Sequence, residues 1–273
     1  MCRNLPELFQ RRRGLCPFVS RKGVSSVFVA VSSRCFAEMD FAEACHQAVE
    51  QGFDSIEIWL DEESQHLKPS EVAAAPDQFA TKFRDQNRIT AAAFDLAHDV
   101  TPEAFEGICR ASKLLRVTQI SVPSSPLGTP FNSEIDRLKE LVGVAGKQGV
   151  RVSIRTERGR LAEDLHNAVE LCGSVKGLGL TFDPSYYVNP VAFDKVMELV
   201  APFTFHTHLR DSTVSDVQVQ VGLGEVDFSA LVAVLRKTGY SRSLSVELIP
   251  GRTDLEQRGL ELRKLRMLLD SLL

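Results

Sequence analysis

Short apolar segments of strand length alternate with longer segments of helical period from Ser26 onward, and this alternation restricts the fold more than any other feature. Repeated strand–helix units are typical of parallel sheets, because each helix returns the chain to the start of the next strand. Eight such units are present. The predicted strands are Val27–Val31, Ser55–Trp59, Ile89–Phe94, Gln119–Val122, Arg151–Arg155, Leu178–Phe182, Phe203–Leu209 and Leu244–Leu248.

Local signals at the ends of the helices support this division. Asp40, with Glu43 three residues later, predicts a capped helix start, and Thr101 before Pro102 predicts a second one. Glycine after an amphipathic segment is a common way to end a helix. The predicted helix-ending glycines are Gly52, Gly149 and Gly239.

The closed barrel and the open doubly wound sheet are the two architectures that fit such units. An open sheet of that kind normally has fewer strands and a glycine-rich phosphate loop after the first one. Here the first strand runs into Ser32-Ser33-Arg34-Cys35, without a GxGxxG motif. We therefore predict an α/β chain whose residues 26–273 form a single (β/α)₈ TIM barrel, a fold that suits a chain of 273 residues.

Composition excludes several classes of partner. The formal net charge is −4 and 25% of residues are charged, so no basic face for nucleic acid is expected. The six cysteines form no CxxC pair, which favours reduced thiols in a cytoplasmic protein over a zinc ribbon or a disulfide scaffold. No apolar run approaches the roughly 18 residues of a membrane span. A small-molecule partner is expected, and a possible homo-oligomer is left open.

Residues 1–25 form a basic N-terminal extension. A signal peptide would need a longer apolar core before a small-residue cleavage site. We predict an accessory or poorly ordered arm, with a targeting or binding role as the alternative. The basic residues, which face the single acidic residue Glu7, are Arg3, Arg11, Arg12, Arg13, Arg21 and Lys22.

Polar residues at the carboxyl ends of the predicted strands are the candidates for function, because active sites of (β/α)₈ barrels lie at that face. Glu247 stands in an otherwise apolar strand, where a carboxylate without a partner would be costly to bury. The candidates are Glu57, Arg155, Asp183, His208 and Glu247.

Six segments in order, GFDSIEIW, GVRVSIR, LTFDPSYY, FHTHLRD, GLGEVDF and LSVEL, resemble the xylose isomerase-like sugar phosphate isomerases and epimerases, which share their barrel with endonuclease IV. The resemblance implies a carbohydrate substrate and a divalent metal (Mn, Mg, Co or Zn), held by residues of strands five to eight. Asp183, His208 and Glu247 match three of these ligands. Arg155 stands where the family has the fourth, a glutamate, and Tyr186 replaces a substrate-binding histidine.

Arg155 changes the expected site, because a guanidinium removes a ligand and adds positive charge beside the cation. We expect metal binding to be weak or absent, and Arg155 to bridge Asp183 and Glu247 in its place. Two alternatives stay open. Arg155 could form a salt bridge at the rim with Glu157, or Glu157 could supply the missing carboxylate.

Arg155 cannot act as a base at physiological pH. A one-base route is therefore expected, in which Glu247 moves the proton and Arg155 stabilises the developing oxyanion. Glu57 is a second catalytic candidate, with a solvated strand residue as the alternative. Asp211 is expected to orient His208. Predicted substrate-side residues are Arg155, Tyr186, His206 and Trp59, while His98 could either reach the substrate or lie at the surface.

Two functions follow from these residues. The first is a sugar or sugar-phosphate isomerase or epimerase that acts by proton transfer next to a carbonyl. The second is a non-catalytic or altered barrel that binds an anionic carbohydrate without metal. A nuclease is disfavoured, because the phosphodiester-cleaving relatives need several metals and more ligands than this chain offers.

Overall fold

Eight parallel strands close into a barrel in chain order, and β8 pairs with β1 to complete it. This computed structural model describes residues 27–188 and 193–273, so the predicted basic extension lies outside the described residues. The single (β/α)₈ TIM barrel is confirmed. The strands are β1 (Phe28–Ser32), β2 (Ser55–Leu60), β3 (Thr90–Leu96), β4 (Gln119–Val122), β5 (Arg151–Arg155), β6 (Leu178–Phe182), β7 (Thr204–Leu209) and β8 (Ser243–Val246).

Helices surround the barrel and begin where the sequence signals predicted. The Asp40 side chain accepts a hydrogen bond from the Glu43 amide at 2.9 Å, and Thr101 accepts one from the Ala104 amide at 3.3 Å. No helix among the described residues has the length and apolar content needed to cross a bilayer. The helices are α1 (Phe41–Glu50), α2 (Pro69–Ala74), α3 (Pro76–Gln86), α4 (Pro102–Leu114), α5 (Phe131–Lys147), α6 (Leu165–Ser174), α7 (Phe193–Val200), α8 (Phe228–Lys237) and α9 (Leu255–Leu272).

The last strand is shorter than predicted, because β8 ends at Val246 and not at Leu248. The amide of Glu247 still donates to the Leu209 carbonyl at 3.0 Å. The next amide, that of Leu248, donates to Sγ of Cys35 at 3.1 Å and so leaves the sheet. Glu247 therefore lies at the point where the chain leaves the barrel wall.

The apolar core lies between the strands and the helices, while the barrel interior is polar. Alternation along β5 buries Val152 and Ile154 in the apolar core, and Ser153 lies on the other face of the strand. Ser153 Oγ lies 2.5 Å from Thr181 Oγ1, which in turn lies 2.6 Å from Ser121 Oγ. Hydrogen-bonding residues thus fill an interior that large apolar side chains commonly occupy.

Candidate functional site

Buried charges gather at the carboxyl end of the barrel. Four carboxylates, each at most 5% exposed, share this space with two buried guanidinium groups and a buried imidazole. Ionised groups withdrawn from water need partners of opposite charge, so the pairing pattern defines the site. The acidic members are Glu57, Asp95, Asp183 and Glu247, and the buried basic members are Arg155, Arg210 and His208.

His208, on β7, lies between two glutamates. Its Nδ1 is 2.7 Å from Glu247 Oε2, and its Nε2 is 3.0 Å from Glu57 Oε2. Burial alone lowers the pKa of His208, but Glu247 and Glu57 together raise it well above the usual value. His208 is therefore held as an imidazolium between two carboxylates.

Glu57, on β2, is fully buried beneath this imidazolium. Its Oε2 also contacts Nε2 of His206, which lies two residues before His208 on the same face of β7. Burial alone raises the pKa of Glu57, yet the two histidines lower it far below its usual range. Glu57 therefore belongs to the polar interior and orients His208.

Arg210 follows His208 on the same face and reaches two carboxylates of the mouth. Its Nη2 contacts Asp183 Oδ2, and its Nη1 lies 3.8 Å from Glu247 Oε2 and 3.3 Å from the Glu247 carbonyl oxygen. The guanidinium carbon is 5.3 Å from the centre of the Tyr186 ring. Arg210 is thus the cation between Asp183 and Glu247.

Arg155, at the end of β5, has a different set of partners. Its Nη1 is 2.5 Å from Asp95 Oδ1 and 2.5 Å from the Leu96 carbonyl oxygen. Its Nη2 donates to the Ala97 carbonyl at 3.1 Å, and Glu157 lies 3.3 Å away. These carboxylates raise the pKa of Arg155 despite its burial. The guanidinium therefore links the end of β5 to the end of β3.

The prediction that Arg155 bridges Asp183 and Glu247 is wrong. Asp95 offers Arg155 a buried carboxylate beside two backbone carbonyls, whereas Arg210 already occupies the space next to Asp183. The alternative of a salt bridge from Arg155 to Glu157 is present, together with this buried pair. Glu157 neutralises a guanidinium and does not supply a free carboxylate.

Arg34, in the short 3₁₀ turn after β1, covers Glu247 from the solvent side. Its Nη1 lies 2.5 Å from Glu247 Oε1, and its side chain is 34% exposed, against 2% for Glu247. The Arg34 guanidinium also lies 5.9 Å from the Trp59 ring centre. Burial raises the pKa of Glu247, but His208 and Arg34 bring it well below its usual value.

Asp183 lies directly after β6, and its pKa is shifted in the opposite direction to that of Glu247. Its Oδ1 accepts hydrogen bonds from the amide and hydroxyl of Ser185, at 2.9 and 2.6 Å. Burial raises the pKa of Asp183, and the charge of Arg210 only partly opposes this rise. The mouth therefore contains one carboxylate held firmly ionised and one that is easier to protonate.

Two residues that the sequence analysis considered for this site do not take part in it. His98 is exposed and sits 3.7 Å from Asp61, at the surface. Asp211 accepts hydrogen bonds from the amides of Gly222 and Gly224 at 2.8 and 3.0 Å, so it fixes the following loop. The prediction that Asp211 orients His208 is wrong, because its carboxylate is turned towards these amides.

The sequence analysis assigned no role to Asp95, Arg34 or Arg210. Asp95 stands in the apolar segment Phe94–Leu96, the same signal that singled out Glu247, and it could have been found that way. Arg34 carries a weaker signal, since it lies in the first loop at the active-site face. The spacing of these residues along the sequence does not predict which guanidinium pairs with which carboxylate.

Glu57, His206 and His208 form a second group of potential metal ligands. One ligand atom from each lies within 4.8 Å of the others, and all three residues are buried. This group shares only His208 with the ligands that the resemblance implies.

The profile of the xylose isomerase-like TIM barrel matches residues 45–266. The match spans most of the chain, and the closed eight-stranded barrel described above agrees with it. The chain belongs to the xylose isomerase-like TIM barrel family.

The relatives described here are distant in sequence. An uncharacterized protein of Methanocaldococcus jannaschii is 22% identical over 255 residues, covering 83% of this chain and 85% of its own. A xylose isomerase-like TIM barrel protein from Mycobacterium smegmatis, solved in complex with magnesium, aligns with a TM-score of 0.72 at 14% identity, over 91% of this chain and 98% of that one.

Two further structures share the fold and have more specific names. A D-allulose 3-epimerase from Methylomonas sp. aligns with a TM-score of 0.71 at 14% identity, over 91% of this chain and 98% of that one. A probable 3-DHS dehydratase from Bacillus anthracis aligns with a TM-score of 0.66 at 15% identity, over 87% and 98%. At these identities the likeness establishes the fold alone.

Proposed function

We propose that this chain is a sugar or sugar-phosphate isomerase or epimerase that moves a proton next to the carbonyl group of its substrate. Family membership and an epimerase among the structural neighbours support this class of reaction. The carrying observation is the ionised Glu247 at the mouth of the barrel, which contacts both the His208 imidazolium and the partly exposed Arg34.

The residues at the ends of β5 to β8 do not fit the divalent metal that the family often binds. A guanidinium replaces one ligand at Arg155, and Arg210 bonds the Asp183 oxygen that would face a cation. Adding a doubly charged ion beside these guanidinium groups would be repulsive in a buried site. We propose that Arg210 supplies the positive charge at this position, so the chemistry there proceeds through side chains.

Glu247 is the proposed base. It would take the proton from the carbon next to the carbonyl. Return of the proton to the neighbouring carbon gives isomerisation, whereas delivery of a proton by a second group to the opposite face of the same carbon gives epimerisation. His208 holds this carboxylate in place, and Glu57 holds His208 from its other side. Asp183, whose pKa burial raises, would supply or receive a second proton on the other side of the substrate.

Arg34 is the proposed cation for the developing oxyanion, a role that was expected of Arg155. The Arg34 side chain is 34% exposed, whereas that of Arg155 is 8% exposed and bonded on several sides. An anionic substrate that pairs with Arg34 would draw it away from Glu247. The carboxylate would then lose a stabilising charge and become more basic, so substrate binding would activate the base. Trp59 and Tyr186 would line the sugar-binding space.

Solvent exchange tests this proposal whichever product the reaction gives. Aldoses, ketoses, their phosphates and their acids are incubated with the protein in D₂O, and deuterium at the carbon next to the carbonyl is measured by NMR. We expect incorporation with at least one substrate, and a loss of about 100-fold or more in Glu247→Gln. Arg110→Gln, a surface variant, should behave as the unmodified protein. Absence of exchange across the panel would contradict the proposal.

A second function, binding of an anionic carbohydrate without turnover, is favoured by one observation. His208 and Arg34 hold the pKa of Glu247 well below its usual value, which makes it a weak base in the free protein. Saturable binding of a sugar acid or sugar phosphate by calorimetry, with no deuterium incorporation into that ligand, would establish this function in place of the first.

A further inference from the structure

We propose that Glu57, His206 and His208 form a binding site for a transition-metal ion of the Zn²⁺ type inside the barrel. Their ligand atoms lie within 4.8 Å of one another, and the three residues are 0%, 1% and 2% exposed. His206 lies two residues before His208 on β7, so this site is deeper than the ends of β5 to β8, where the family's ligands are expected.

An unpartnered oxygen is the second observation that points to a cation. Oε1 of Glu57 is buried and, among the described residues, has no hydrogen-bond partner. A buried carboxylate oxygen without a partner is unfavourable, and such an atom needs an explanation. A cation bound by both oxygens of Glu57 and by Nε2 of each histidine would have four donor atoms, the usual number for zinc.

The Nδ1 atoms of both histidines, which would not bind the ion, contact polar groups as they do in known metal sites. Nδ1 of His208 lies 2.7 Å from Glu247 Oε2, and Nδ1 of His206 lies 3.4 Å from the Ser243 hydroxyl. Imidazole ligands of metals commonly bond a carboxylate or another polar group through the second nitrogen, which fixes the tautomer and the ring orientation. Both Nε2 atoms are thereby directed at the Glu57 carboxylate.

Either protons or a metal ion could lie between these two Nε2 atoms and the Glu57 carboxylate. Protons would make two hydrogen bonds to the same oxygen, Oε2 of Glu57, and leave Oε1 unpaired. A metal ion would engage both oxygens and both nitrogens. Two imidazoles with one carboxylate suit Zn²⁺ or Co²⁺ better than Mg²⁺, which prefers oxygen ligands.

The test is metal binding in the absence of substrate, so its outcome does not depend on the proposed function. The full chain is stripped with a chelator and titrated with Zn²⁺ by calorimetry, and bound metal is measured by elemental analysis. We expect one zinc ion per chain, retained on gel filtration, and no comparable uptake of Mg²⁺. Co²⁺ should give the visible absorption of a four-coordinate ion, without a thiolate charge-transfer band.

Variants locate the ion. Glu57→Gln and His206→Gln should each weaken Zn²⁺ binding by about 10-fold or more, whereas Asp183→Asn, at the family's metal position, should bind as before. Lack of stoichiometric zinc in the unmodified protein would overturn the proposal, as would binding that is lost in Asp183→Asn but kept in His206→Gln. The cobalt spectrum of the unmodified chain gives an answer even if a variant fails to fold.

Discussion

Nη1 of Arg155 lies 2.5 Å from Oδ1 of Asp95, and this ion pair joins β5 to β3 inside the barrel mouth. Both side chains are at most 8% exposed, so neither charge has water as a substitute partner. Asp95→Asn would leave the guanidinium buried without its carboxylate. We expect a loss of about 3–5 kcal/mol in the free energy of unfolding, measured by urea titration.

A surface pair provides the matched control for Asp95→Asn. Arg110 and Asp77 are also 2.5 Å apart, but both side chains are 58% exposed. Asp77→Asn should lower stability by less than about 1 kcal/mol, since water screens and replaces the lost charge. Equal losses in the two variants would show that the buried pair carries no special stabilisation.

The stability of the metal-free protein should decrease in alkaline solution because of His208. Its pKa is raised well above the usual value, so its stabilising effect is complete below about pH 6.5 and is lost as the pH rises through the folded-state pKa. Urea midpoints measured with chelator from about pH 6 to about pH 9 should fall, and His208→Gln should flatten this dependence. Arg110→Gln, a surface variant, should leave the slope unchanged. A slope that survives in His208→Gln would assign it to another group.

Glu247 should produce the opposite dependence in acid. Its pKa is lowered well below the usual value, so its contribution is complete above about pH 4.3 and is lost as the pH falls through the folded-state pKa. Glu247→Gln should therefore show a shallower loss of stability in acid than the unmodified protein. An acid unfolding curve that Glu247→Gln leaves unchanged in steepness would contradict this assignment.

Arg34 should distinguish charged from neutral ligands. Arg34→Gln removes the partly exposed guanidinium beside Glu247, so binding of a sugar phosphate should weaken by about 10-fold or more, while the unphosphorylated sugar is affected less. Calorimetric titration of the two ligands measures the difference, with Arg110→Gln as the control. Equal weakening for both ligands would mean that Arg34 shapes the pocket and does not recognise charge.

Gly224 lies in close contact with Asp211, so a side chain added at position 224 should destabilise the protein. A Cβ atom at Gly224 would lie 1.9 Å from Asp211 Oδ1, so Gly224→Ala must displace the carboxylate that fixes this loop. We expect a loss of about 1–3 kcal/mol in urea unfolding. Gly146, in α5, has open space around its Cβ position, and Gly146→Ala should stabilise the protein by up to about 1 kcal/mol. Similar changes in the free energy of unfolding for the two variants would argue against a role of the Gly224–Asp211 contact in stability.

The sequence by itself determined the barrel. Strands at Gln119–Val122, Arg151–Arg155 and Leu178–Phe182 have the predicted bounds, because alternation of two and helical periodicity are local properties of the chain. The position of Asp183 and Glu247 at the mouth also followed, since the topology brings all carboxyl strand ends to one face.

Only the tertiary structure decided which charges meet. Arg155 pairs with Asp95, and Arg210 takes the place between Asp183 and Glu247 that the spacing suggested for Arg155. A strand position fixes where a guanidinium starts, but its long flexible stem can reach several carboxylates across the barrel. The choice depends on which of them offers the most complete set of buried partners, and that is a property of the folded interior as a whole.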